Sequence, residues 1–177
     1  MVGELRPHDA PITLAEYDPR WPRQFAREAD RIRGALGDAA LAVEHVGSTA
    51  VPGLAAKPVL DILLVVADSG DEPAWLPPLE AAGYRLRIRE PEWAEHRVLK
   101  GPDVDLNLHV FGLGAGEIGR MLAFRDRLRR SAADRALYER TKRRLARRTW
   151  RHVQHYADAK TPVVEAILAR AAAPPPG

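Results

Sequence analysis

A Gly-Ser turn followed thirteen residues later by a single aspartate is the feature of this chain with most chemistry in it. Gly47-Ser48 comes straight after the apolar segment Ala40 to Val46, and Asp61 opens the run Val59 to Val66. Glycine lets backbone approach a ligand closely, and the amides that follow it point outward as an anion nest. Ser48 and Thr49 add hydroxyls and Lys57 a positive charge, so Gly47, Ser48, Thr49 and Lys57 are candidates for holding phosphates. A carboxylate in so apolar a strand is costly unless it sits at the exposed end with a counter-ion. Mg²⁺ shared with substrate phosphates would use it well; an aspartate capping a neighbouring turn is the other reading. A lone Gly-Ser pair is in most chains a simple turn, and Asp61 is what gives this one value.

Phosphoryl and nucleotidyl transfer generally use two or more carboxylates around one or two metal ions. The position two residues on, which shares a strand face with Asp61, is Leu63. Replacement ligands lie in Asp105 to Phe111, DLNLHVF, whose alternation puts Asp105, Asn107 and His109 on one face. Asp61, Asp105 and His109 form the candidate metal and catalytic set, with His45 and His96 as further approaches. The alternative is a polar outer face with a histidine paired to a local carboxylate. Arg125 and Arg129, four apart, share a helix face and suit a phosphate clamp, as do Tyr138 and Lys142. Surface arginines paired to Asp126 and Glu139 would carry the same spacing. His152 and His155 could meet on one helix face, or lie on the surface.

The elements that must position these residues follow from periodicity. Apolar residues at three- and four-residue steps predict a helix over Trp21 to Leu36, opened by Asp18-Pro19 and stopped by Gly37. Val59 to Val66 is apolar on both faces and predicts a central strand. Ile12 to Tyr17, Ala40 to Val46, Tyr84 to Ile88, Glu95 to Lys100 and Asp105 to Phe111 predict further strands. Trp75 to Ala82 predicts a short helix with its prolines in the first turn. Helices follow over Ile118 to Arg130, from the Ser131–Asp134 capping box, and from Thr161-Pro162. Residues 1–10 are expected as a frayed or edge segment, and Pro174 to Gly177 as disordered. The fold class expected is α+β: a small mixed β-sheet with flanking helices over 1–117, and a C-terminal helical arm over 118–173.

At 46% hydrophobic and 29% charged, the composition is that of an ordinary globular protein. The absence of cysteine excludes disulfides, thiolate metal sites and cysteine nucleophiles. With no apolar leader, and a longest apolar run, Ile62 to Ala67, too short for a bilayer, a cytoplasmic protein without membrane partners is expected. Net charge is only +3, yet from Arg140 to Arg151 basic residues gather with no acidic one. Such a run touches phosphate or nucleic acid, or is the solvated face of a helix. Aromatic residues at 6% are too sparse for a stacking platform, which makes a nucleic-acid partner the least favoured.

The segment EHVGSTAVPGLAAKPVLDILLVV (Glu44 to Val66), LNLHVF (Leu106 to Phe111), FRDRLR (Phe124 to Arg129) and the Tyr138/Lys142 spacing resemble the GrpB-like family. Tyr17-Asp18 followed by Trp21 and Phe25 is similar too, so the likeness runs from Ile12 to Ile167. The resemblance implies the nucleotidyltransferase superfamily fold, with Gly47 and Ser48 toward the triphosphate of an NTP and Asp61 as the first metal-binding aspartate. Leu63 departs from the superfamily pattern at the second acid, and Asn107 stands where the family is often richer in histidine. Two functions are therefore expected: Mg²⁺-dependent transfer of a nucleotidyl group from an NTP to a small acceptor, or a non-catalytic module binding a nucleotide or phosphorylated small molecule.

Overall fold

The computed structural model describes residues 7–172, with side chains described for 12–148 and 155–172. Five strands form one mixed sheet: β2 (Ala42–Val46), β3 (Leu60–Val66), β4 (Arg85–Glu90), β5 (His96–Lys100) and β6 (Leu106–Gly112), in the order β2-β3-β6-β5-β4. Only β3 and β6 run parallel; every other pair is antiparallel. The two-sided apolar run of β3 thus places it inside the sheet, next to β6 and not at an edge.

Each face is covered by helices. Ile62, Leu64, Leu108 and Val110 point to the face packed by α1 (Trp21–Leu36) and α2 (Leu76–Ala81), where Ile32 and Leu79 are fully buried. Glu28, on the buried side of α1, accepts from the Tyr84 hydroxyl and pairs with Arg31, so its charge is matched inside the core. The opposite face carries Asp61, Leu63, Val65, His109 and Phe111, and α3 (Gly116–Arg130) covers its apolar part with Ile118, Met121 and Leu122.

The helical arm continues with α4 (Ala132–Ala146), α5 (Val153–Ala159) and α6 (Thr161–Ala172). The Ser131 side chain accepts from the Asp134 amide, the expected cap. Helix α1 begins at Trp21, later than Asp18-Pro19 suggests, because the Asp18 side chain is occupied in a turn with Arg20.

Two expectations change. Ile12 to Tyr17 makes only the isolated bridge Ala15–Ala56, and the N-terminal strand is instead β1 (Pro7–Pro11). It pairs with β7 (Thr149–His152), where the basic run was expected to continue as helix; α4 stops at Ala146. His152 therefore lies on a strand and His155 on α5, not together on one helix. The tail Pro174 to Gly177 lies outside the described residues.

Candidate functional site

Gly47 ends β2 with φ 73°, a conformation glycine adopts at little cost. Val46 and Asp61 are register partners, and a Cβ on Gly47 would stand 2.6 Å from Asp61 Oδ2. The turn and the aspartate are thus in direct contact, and glycine is required twice over. The 3-10 turn Ser48–Ala50 follows, in which the Ala50 and Val51 amides bond to the Gly47 and Ser48 carbonyls. Those two amides are spent inside the protein and not available to the expected anion nest.

The turn also presents side chains. Ser48 and Thr49 line a cavity of about 620 Å³, together with Asp61, His109 and Lys57. Thr49 Oγ1 lies 2.9 Å from His45 Nε2, and Ser48 faces the buried Tyr138 hydroxyl. From the arm, Lys142 and Lys160 enter the same cavity.

These lysines are unusually placed. Lys142 is buried, its Nζ donates to the Ala55 carbonyl at 2.6 Å and lies over the Tyr138 ring. Burial first, and the Lys160 charge second, bring it down to about 7. Lys160 comes down to about 8 through burial and then Lys57, against the opposite pull of Asp61. Burial lowers Lys57 as well, while Asp61 and Asp105 raise it.

Asp61, Asp105 and His109 all line the cavity but do not make a cation site. Asp61 Oδ1 already accepts from His109 Nε2 at 3.0 Å, and Asp105 is ion-paired to Lys100 at 2.9 Å. The missing acid is a fully buried Leu63, packed with Val46, Val65 and Phe111. Among the described residues no three His, Asp or Glu side chains are grouped to hold a metal ion. Crowded ammonium groups add a field that repels one. The residues present therefore do not fit Mg²⁺.

Arg125 and Arg129, expected as a phosphate clamp, hold the protein's own backbone and carboxylates. Arg125 Nη1 reaches Glu44 Oε2 at 2.7 Å and the His45 carbonyl at 3.1 Å, and its Nε pairs with Asp126. Arg129 Nε donates to the Ala50 carbonyl at 2.9 Å. Neither lines the cavity. They belong to a larger brace, since Glu139 accepts from the Ala55 amide whose carbonyl Lys142 holds. The arm thus fixes the loop Ser48 to Ala56 from behind.

His109 has a second partner. Its Nδ1 lies 3.1 Å from His96 Nε2, and His96 Nδ1 lies 2.8 Å from Glu90 Oε1. The two rings are within 11° of parallel with centroids 5.3 Å apart, too far for a face-to-face stack and right for an edge-to-edge contact in one plane. Phe111 stacks on His96 and Trp93 closes its edge. Glu90, His96, His109 and Asp61 come one each from β4, β5, β6 and β3, a diagonal across four adjacent strands.

Lys160 and Glu90 carry no signal in the sequence that would select them. The diagonal had one: a hairpin turning at Gly101-Pro102-Asp103 brings His96 and His109 to the same face of neighbouring strands.

A family model described as GrpB protein matches residues 11–170. A UPF0157 protein of Halalkalibacterium halodurans is 65% identical over 170 residues, covering 96% of this chain and 87% of the relative. One from Streptomyces coelicolor is 48% identical over 167 residues, covering 94% and 88%. The crystal structure of conserved protein GrpB from Enterococcus faecalis is similar with a TM-score of 0.76 at 32% identity, covering 89% of this chain and 98% of that one.

Proposed function

The chain belongs to the GrpB protein family, and from that premise we propose that it binds the phosphate groups of a nucleotide or another phosphorylated small molecule in the lysine-lined cavity. The supporting observation is the convergence of Lys57, Lys142 and Lys160, from three separate segments, on one cavity with Asp61 facing them. Like charges brought together away from water are costly, and an anion relieves that cost. Its oxygens would take up the ammonium donors and the Ser48 and Thr49 hydroxyls, while Leu14 and Val59 give the lining an apolar part. A base or other flat apolar group would meet that part.

Calorimetric titration of ATP, GTP, CTP, UTP and tripolyphosphate, with and without Mg²⁺, tests this. Binding without metal is expected, weakened about tenfold by Lys57→Ala or Lys160→Ala, as one charge-assisted contact implies. Affinity should fall as pH rises from 6.5 to 9, because Lys142 near 7 and Lys160 near 8 lose the protons the anion needs. Binding that requires Mg²⁺ and disappears in Asp61→Asn would favour metal-dependent nucleotidyl transfer instead. Absence of binding to every phosphate compound would overturn the assignment of the cavity.

A further inference from the structure

The diagonal needs more hydrogen than its two rings carry when neutral. A carboxylate accepts hydrogen bonds and cannot donate them, so at one end His96 Nδ1–H must donate to Glu90 and at the other His109 Nε2–H must donate to Asp61. The contact between the rings, His96 Nε2 to His109 Nδ1 at 3.1 Å, needs a third N–H. Two neutral imidazoles carry two. We propose that Glu90, His96, His109 and Asp61 form a proton relay that holds one proton more than two neutral rings and passes it between the Glu90 end and the cavity.

The disagreement with a metal site is part of the same geometry. His109 Nε2–H occupies Asp61 Oδ1, one of the two oxygens a cation could use, and the shared imidazolium sits where positive charge is wanted beside two carboxylates. The ends differ in what they meet. Glu90 is 32% exposed and can exchange protons with solvent, while Asp61 opens on the cavity. When one proton leaves through Asp61 to a ligand oxygen, two neutral rings remain and one bond of the row is lost. Once both rings have turned over and present a bare nitrogen to Glu90, a proton taken up there restores the count, and the reverse order carries a ligand proton outward.

The charged groups facing the row are few. Arg97 opposes the extra proton on His96 and Glu90 favours it. At the cavity end Asp61 acts on Lys57, Lys142 and Lys160 and on His45 across the sheet. Phe111 and Trp93 pack around the middle, and burial holds His96 below the ordinary imidazole value against the pull of Glu90, so the row takes its extra proton on the acid side of that value. Glu90 and His96 lie outside the cavity lining and act on it only through His109.

Long-range proton–nitrogen spectra of the ¹⁵N-labelled, ligand-free protein between pH 4.5 and 8 test the relay without reference to any ligand. Expected are signals of His96 Nε2 and His109 Nδ1 that move together through one shared protonation step. Glu90→Gln, which keeps an acceptor and removes the charge, should lower that step by a pH unit or more. Asp61→Asn should lower it from the other end, so a fold defect in one variant is caught by the second. Two rings that titrate separately, or a step that neither substitution moves, would overturn the relay. Loss of phosphate binding alone would not touch it.

Discussion

Gly47 and His45 show how single residues at the site are fixed by what they touch. With φ 73° and no room for a Cβ beside Asp61 Oδ2, Gly47→Ala should cost about 2 kcal/mol or more, measurable by urea denaturation. His45 is buried, stacked on Phe25 and bonded to Thr49, and burial first, with Arg129 and Arg125 behind it, lowers it to about 4. Its folded value lies below its unfolded one, so the unfolded chain binds the proton first as pH falls. Its contribution is complete above pH 6.5 and is lost on the way to pH 4, on the order of 3 kcal/mol in all. Denaturation at pH 7 and pH 4.5 should show part of that loss, and His45→Gln should flatten it. Glu72, held by Arg89 and Arg97 down at about 2, loses its contribution between about pH 4.5 and pH 2, so most of the His45 loss precedes it. At this scale the sequence was readable where a residue type has few uses, as with Gly47 and Asp61. It was silent on Arg125 and Arg129, whose spacing shows that they share a face but not that the face meets Glu44 and Ala50.

The elements divide the labour. The sheet positions the diagonal and helix α4 positions the loop, with Tyr138 facing Ser48 and Glu139 and Lys142 holding the Ala55 N–H and carbonyl. Glu139→Ala would leave the Ala55 amide without its acceptor. A stability loss of about 1–3 kcal/mol is expected, with faster proteolysis in Ser48 to Ala56 as the local readout. Strand β3 was legible because seven residues in a row are apolar or half-buried, and α1 because its stripe is strict. Strands β1 and β7 were not. Each gains its partner from the far end of the chain, and a local pattern carries no information about a pairing of that separation.

In the molecule as a whole, the arm is structural as well as lysine-bearing. Val51 and Leu54 of the loop are buried against Leu128, Tyr138 and Ile167, and Leu63, Val65 and Phe111 of the sheet pack against Ile118, Met121 and Leu122, so the arm holds both loop and sheet by apolar contact. Thermal unfolding should accordingly be a single cooperative transition, with calorimetric and van't Hoff enthalpies equal. A chain cut after Arg130 should neither unfold cooperatively nor bind phosphate, having lost Lys142 and Lys160. Among the described residues no helix is long and apolar enough to cross a membrane. The overall class was legible from periodicity, whereas the cavity was not, since its lysines meet only once the arm has folded back. The connectivity of β4, β5 and β6 has a consequence for chimaeric chains. Glu90, His96 and His109 fall within one short uninterrupted stretch, so a crossover between two homologous genes placed after β3 transfers the three together. Such a hybrid needs only one matching residue, an aspartate at 61, from its other parent.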